Sequence, residues 1–278
     1  MEIFQKDTKK SATNKPKKMD SFISKYKPHV LEEYSVISPE VLFIVKTLNE
    51  MNDLNILLVG NPCCGKTTLL YTILRNYYNT LSNPEEVFRN ETNVMFVNNL
   101  KEQGINFYRN EMKTFCQSHC SVYGKKKIVI IDDIDNINEQ CQQVFRNYID
   151  KYKHNVHFMA VCTNIQKVIE SIQSRLHIIN IPPMKKEYLY VKLNHIIEKE
   201  KINVTKDAKE YLINISNNSV RLLINNIEKV FICRNAENDI FDVDKCTFIC
   251  STISTDYFIK YINLIKKKKV IRRHLHFV

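Results

Sequence analysis

The sequence predicts an α/β protein built on a parallel sheet flanked by helices. Three observations carry this reading. Gly60 and Gly65 bracket Asn61, Pro62, Cys63 and Cys64 just ahead of Lys66 and Thr67, between an apolar run at 54–59 and a helical pattern at 67–76. A second apolar run, 128–131, ends in Asp132, Asp133, Ile134 and Asp135 about 70 residues further on. Short apolar runs alternate with helical periodicity, the pattern of βα units whose strands lie buried on both faces of a parallel sheet.

The elements follow in chain order. Residues 1–20 are lysine-rich and polar without an apolar period, and read as a disordered basic arm. The body starts at Ser21. Ser38, Pro39 and Glu40 open a helix, with serine as cap and proline at the first helical position, and the following VLFIVKTLNEM carries the apolar stripe. LNILLV at 54–59 is a strand of buried type, and TTLLYTILRN at 67–76 is a helix. A second strand is expected at 92–98, then a helix that starts near Gly104 and runs through INFYRNEMKTFCQ. IVII at 128–131 is the third strand and VHFMAVCT at 156–163 the fourth, ending in Thr163 and Asn164. TDYFIKYINLI at 255–265 makes one helix at most, and the basic end from Lys266 is either frayed and exposed or a nucleic-acid contact.

The residues between the first strand and its helix carry chemistry. G-x-x-x-x-G-K-T after a strand and before a helix is a phosphate-binding loop: its backbone N–H groups face an anion, and the helix N-terminus adds a positive end. The chain has only four glycines and places two of them here, where backbone must approach a ligand closely. Amides of residues 63–67 would surround the β-phosphate of a nucleoside triphosphate. Lys66 would bridge its β- and γ-phosphates, and the Thr67 hydroxyl would ligate magnesium. The adjacent Cys63 and Cys64 lack a second pair at zinc spacing, so they contribute backbone. At the tip of the third strand, Asp132 fits the acid that orients the magnesium shell and Asp133 the one that polarises the attacking water. Thr163 and Asn164 at the fourth tip can hydrogen-bond that water or the γ-phosphate; as bare turn residues they would do neither.

Composition narrows the partners. The net charge of +11, from 41 Lys plus Arg against 30 Asp plus Glu, favours a polyanionic partner such as nucleic acid or an anionic surface, although lysine-rich solvated faces are common. Nine cysteines lie scattered without a paired framework, no signal peptide is seen, and no apolar run reaches membrane-spanning length. The expectation is a reducing compartment, cytosol or nucleus, and no membrane.

The order of motifs resembles a known family, the small subunits of the replication factor C type of sliding-clamp loader, within the AAA+ ATPases. Ser24-Lys25-Tyr26-Lys27-Pro28 is similar to the family's E-K-Y-R-P, with serine and lysine in place of glutamate and arginine. Lys101-Glu102-Gln103-Gly104-Ile105, with Arg109-Asn110 and Lys113-Thr114-Phe115, resembles D-D-R-G-I…R-N…K-T-F. Asp132 to Asp135 stand where the family has D-E-A-D, and Gln143 to Arg146 resemble the start of Q-x-A-L-R-R. Lys167 through Arg175 is similar to K-I-I-E-P-I-Q-S-R, and Ser219 to Asn225 to D-M-R-R-A-L-N.

What the resemblance implies is a P-loop AAA+ domain at 21–181, a small helical lid at 182–237 and a short or truncated helical collar at 238–278 with a basic tail. The cofactors implied are ATP and Mg2+, and the activity is ATP hydrolysis that drives opening of the DNA polymerase processivity clamp and its loading on primer-template DNA. Tyr26 and Pro28 would lie over the adenine, Thr68 would follow Thr67 at the loop, and Arg221 would contact the phosphates from the lid. Arg175 would act in trans, on the phosphate held by a neighbouring subunit of a hetero-oligomeric, pentameric ring. Lys101, Arg109, Lys113 and Lys153 would touch DNA phosphates, with Arg109 and Lys113 at i and i+4 on one helix face. Phe115 is either core or a clamp contact.

The departures matter too. Asp133 replaces glutamate, shortening the reach to water by one methylene, so hydrolysis is expected to be slow. Thr163 stands at the family's asparagine sensor, with Asn164 one step on. About forty residues follow the lid where the collar needs roughly a hundred. The readings left open are a non-hydrolysing, ATP-gated scaffold subunit of the same ring and another AAA+ DNA-acting motor. The nucleus is the expected location, or a cytoplasmic viral replication site if the Asn-, Lys- and Ile-rich composition marks a viral gene.

Overall fold

A computed structural model describes residues 21–34, 38–78, 92–98, 105–234, 239–250, 259 and 261–265. The basic arm 1–20, Lys101, Gly104 and the basic end 266–278 lie outside the described residues. Five strands form one sheet: β1 (Ile56–Val59), β2 (Val94–Asn98), β3 (Lys127–Asp132), β4 (Val156–Cys162) and β5 (His177–Asn180), in the order β2-β3-β4-β1-β5. All four pairings are parallel; Ile56 stands opposite Met159 on one side and His177 on the other. The first four strands were legible as apolar runs because they are buried on both faces. β5 was not expected from sequence: it lies at the edge, with three of its four residues exposed and only Ile179 buried, so it carries no continuous apolar run.

Alternate side chains divide the core into two layers, as the two-residue period of a strand requires. Ile56, Leu58, Ile128, Ile130, Met159 and Val161 pack against α2 (Pro39–Glu50) and α3 (Lys66–Tyr78), through Val41, Val45, Leu70 and Leu74. Leu57, Val129, Ile131, Phe158 and Ala160 face the other way, onto α4 (Ile105–Gln117) and α5 (Glu139–Tyr152), through Met112, Phe115, Phe145 and Ile149. The Ser38 cap accepts a hydrogen bond from Val41 N, and Asn138 caps α5 by accepting from Cys141 N. Phe115 packs in the core, 8 % exposed, with Lys127 Nζ 4.4 Å from its ring centroid.

The second hydrophobic unit is larger than the expected lid. α7 (Lys186–Glu200), α8 (Lys206–Ile215) and α9 (Val220–Ile232) supply Leu189, Leu193, Leu212, Leu223 and Ile227, while Phe241, Cys246 and Cys250 from beyond residue 238 belong to the same core. β6 (Asn203–Val204) pairs in parallel with β7 (Ile240–Phe241), and α10 (Val243–Cys250) packs on α8 and α9. Residues 239–250 therefore share the core of this unit. At the other end, α1 (Phe22–Lys25) also joins it: Phe22 and Tyr26 are buried in this cluster, and Phe22 N donates to Glu228 Oε1 at 3.0 Å. The 21–26 segment, expected in the ATPase domain, is thus built into the lid, because its two rings find apolar partners there.

Buried cysteines behave as small hydrophobes: Cys64, Cys116, Cys141, Cys162, Cys246 and Cys250 are buried and unpaired, and burial pushes the Cys116 thiol up to about 12. Among the described residues no helix is long and apolar enough to cross a membrane.

Candidate nucleotide-binding site

β1 sits between β4 and β5, so the connection from β1 to β2 must cross over two strands. That reversal of order opens a crevice at the carboxyl ends of the strands, the place where parallel α/β sheets bind ligands. The residues that leave β1 there are Gly60 to Gly65. Gly60 is required by a close approach: a Cβ on it would lie 2.7 Å from the carbonyl oxygen of Ile181, and Ile181 N in turn donates to Val59 O at 2.7 Å. Gly65, with φ +92°, and Cys63, with φ 61°, both take the left-handed conformation. Alternation of handedness turns successive N–H groups toward one point and makes an anion-binding nest. Cys63 is exposed while Cys64 is buried against the core, so the loop is anchored by one thiol and presents the other.

Lys66 is 7 % exposed, and its Nζ donates to the carbonyls of Gly60 and Asn61, each at 2.8 Å. The ammonium is held inside the loop, with its charge against the nest. Thr67 Oγ1 lies 3.5 Å from Asp132 Oδ2, so the residues expected to hold a cation do come together. Burial raises the Asp132 carboxyl above its ordinary value and the neighbouring Asp133 charge raises it further. A cation bound beside it would reverse both effects. Asp133 is exposed and left-handed, φ 52°, at the turn that leaves β3; aspartate is one of the few non-glycine residues that tolerates that region.

Asp135 ties the two strand tips together. Its Oδ2 accepts from Thr163 N at 3.1 Å and from Asn164 N at 2.9 Å. Asn164 Oδ1 accepts from Gln166 N at 3.0 Å and caps a 3-10 turn at Ile165–Lys167. The Asn164 side-chain oxygen is therefore used locally. Gln142, unremarked in the sequence, is 2 % exposed and bonds four backbone groups: it donates to the carbonyls of Ile134, Ile137 and Lys167 and accepts from Ile169 N. It links the β3 tip, α5 and the segment that leads to Arg175. One of three glutamines in an amphipathic helix, Gln142 gives no sequence signal for such a role.

The cleft between loop and lid is lined by Tyr26, Lys27, Pro28, Cys63, Gly65, Thr68, Lys192 and Arg221, with an apolar wall from Met184, Val220 and Ile224. Tyr26, Pro28, Thr68 and Arg221 meet there as expected. Tyr26 is 5 % exposed and its hydroxyl donates to Glu200 Oε1, which Lys25 Nζ also contacts at 2.6 Å. Burial lowers the Lys27 ammonium below its ordinary value, and the nearby Arg75 and Arg221 charges lower it further. The cleft suits a polyphosphate: among the described residues that line it, Lys27, Lys192 and Arg221 are cationic and none is a carboxylate.

Arg175 stands apart from that cleft. It follows α6 (Glu170–Gln173), and its Nε donates to Asp150 Oδ1 at 2.6 Å. Arg109 and Lys113 are exposed on α4, and Lys153 is exposed at the end of α5; Tyr148 Oη of α5 donates to Arg109 O at 3.0 Å and locks the two helices together.

The model of the AAA family, ATPases associated with various cellular activities, matches residues 56–183. The chain is 29 % identical over 204 residues to a replication factor C small subunit of Sulfolobus acidocaldarius, covering 73 % of this chain and 60 % of that protein. It is 26 % identical over 204 residues to replication factor C subunit 5 of Homo sapiens, covering 73 % and 58 %. It thus spans about 60 % of the length of such relatives. Among solved structures, Thermotoga maritima RuvB, described as a Holliday junction branch migration motor, superposes with a TM-score of 0.60 at 14 % identity, over 83 % of this chain and 73 % of that one. That likeness concerns the fold.

Proposed function

We propose, from the match of residues 56–183 to the AAA family of ATPases and the similarity of the chain to replication factor C small subunits, that it binds and hydrolyses ATP with Mg2+ as one subunit of a sliding-clamp loader. The assembly would open a polymerase processivity clamp and place it on primer-template DNA. The observation that carries this reading is the cleft in which the loop residues Cys63, Gly65 and Thr68 face Arg221 of the lid, because closure of one unit on the other can then report nucleotide state.

In this reading the loop amides and Lys66 hold the β- and γ-phosphates, and Tyr26 with Pro28 borders the base. Thr67 and Asp132 hold magnesium, which when bound neutralises charge developing on the phosphates. Asp133 polarises the attacking water, and Asp135 fixes the Thr163 backbone beside it. Arg221 contacts the phosphates in cis. Arg175 reaches the phosphates of a neighbouring subunit in a hetero-oligomeric, pentameric ring, so hydrolysis depends on assembly. Arg109, Lys113 and Lys153 touch DNA phosphates without reading bases; their exposure supports this, and affinity for duplex should fall steeply with salt. Lys101 would join them. The site of action is the nucleus, or a cytoplasmic viral replication site for a viral gene.

Lys66→Ala in the copurified assembly tests the proposal. Loss of most of this subunit's ATP turnover and of clamp loading is the expected result. Retention of both would defeat it.

A further inference from the structure

Arg175 is already committed before any neighbour arrives. Its Nε donates to Asp150 Oδ1 at 2.6 Å, and its Nη1 donates to Ser171 O at 2.6 Å and Ser174 Oγ at 3.2 Å. The other Asp150 oxygen, Oδ2, is turned to Arg146 Nε at 3.4 Å, one helical turn back on α5. One carboxylate thus serves two guanidinium groups.

Such a pair adds little to stability, since Asp150 and Arg175 keep 45 % and 27 % of their side-chain surface exposed. Its consequence is orientation. A guanidinium has five donors in a rigid plane. With Nε held by Asp150 and Nη1 held by Ser171 and Ser174, Nη2 is the nitrogen left to meet an anion. A free arginine loses rotamer freedom when it is fixed, and here that loss precedes assembly. The Arg175 hydrogen bond also holds the Asp150 carboxyl below its ordinary value, so the acceptor stays ionised at neutral pH.

We infer that Asp150 is a positioning residue, which fixes the Arg175 guanidinium for delivery to the triphosphate of an adjoining subunit. The inference rests on the trans role of Arg175 proposed above. Asp150 itself touches no substrate; it acts by holding the arginine in one rotamer, as preorganised transition-state groups must be held.

Three variants of the full chain in the copurified assembly, Arg175→Ala, Asp150→Ala and Asp150→Glu, test it by ATP turnover with primer-template DNA present. Arg175→Ala should remove most of the stimulated turnover. Asp150→Ala should lower kcat about tenfold with KM for ATP changed less than about twofold, and Asp150→Glu should recover part of the loss. If Arg175→Ala has no effect, the trans reading fails and takes this inference with it. If Arg175→Ala slows turnover but Asp150→Ala leaves it unchanged or faster, the positioning role alone is overturned. An independent readout uses the isolated chain: the Arg175 Nε–Hε resonance, identified by its absence in Arg175→Lys, should exchange slowly with solvent and lose that protection in Asp150→Ala. A fast-exchanging Nε–H in the unaltered chain would also overturn it.

Discussion

Thr67 Oγ1 and Asp132 Oδ2, 65 positions apart in the chain, lie 3.5 Å from each other. The contact joins the first turn of α3 to the tip of β3, so the hydroxyl and the carboxylate converge on one point beside the Lys66-filled loop. Asp132→Asn keeps the shape and the acceptor but removes the charge. It is expected to reduce Mg2+-dependent ATP turnover by about 100-fold or more, with the melting temperature unchanged or raised, because a half-buried carboxylate beside the Asp133 charge is replaced by a neutral group. Turnover and thermal melting measured side by side check both halves.

Asp133 occupies a left-handed backbone position at φ 52°. Asp133→Glu extends the carboxylate by one methylene, toward the length used in the family, and should raise DNA- and clamp-stimulated turnover in the assembly. The same change should cost roughly 0.5–1 kcal/mol in stability, because glutamate tolerates that conformation less well than aspartate. A turnover that is unchanged or lower would show that reach is not what limits hydrolysis.

Gly60 lies so near Ile181 O that any side chain there meets backbone at 2.7 Å. Gly60→Ala must push the segment after β5 away from β1, at a cost of about 1–3 kcal/mol. Nucleotide affinity should fall with it, since Gly60 O is one of the two carbonyls that hold Lys66. Fluorescent ATP-analogue titration and chemical denaturation should therefore both show loss in this variant.

His157 is fully buried, accepts from Leu54 N through Nδ1 at 3.3 Å, and contacts Asn52 Oδ1 through Nε2 at 3.2 Å. That pattern requires a neutral ring with its proton on Nε2. Burial, helped by the Lys126 charge, lowers its pKa from 6.5 to about 4. The unfolded chain therefore takes up a proton near pH 6.5 that the folded chain refuses until about 4. Stability is fully present above pH 6.5 and declines as pH falls toward 4, by on the order of 3 kcal/mol at most. Urea unfolding at several pH values should give a slope in this window that becomes smaller in His157→Gln.

How much of this was legible depended on the range of the interaction. Strands β1 to β4 could be read because burial on both faces leaves a continuous apolar run, and the phosphate loop because its glycines, lysine and threonine must be consecutive to form a nest at a helix start. β5 escaped notice because only Ile179 of its four residues is buried, and the inclusion of Phe22, Tyr26, Cys246 and Cys250 in one core escaped because it joins short segments from distant parts of the chain.

The sequence by itself determined the local chemistry: which loop can cradle an anion, which strand ends in carboxylates, and which residue types stand where water and metal would be handled. Only the tertiary structure decided the pairings. That Thr67 meets Asp132, that Asp135 holds Thr163, that Gln142 joins three segments and that Asp150 holds Arg175 follow from strand order and helix packing, which bring distant residues within hydrogen-bond reach. A chain written in one dimension records residue types and spacing; distances of 2.6 and 3.5 Å between residues 25 and 65 positions apart exist only once the sheet has chosen its order.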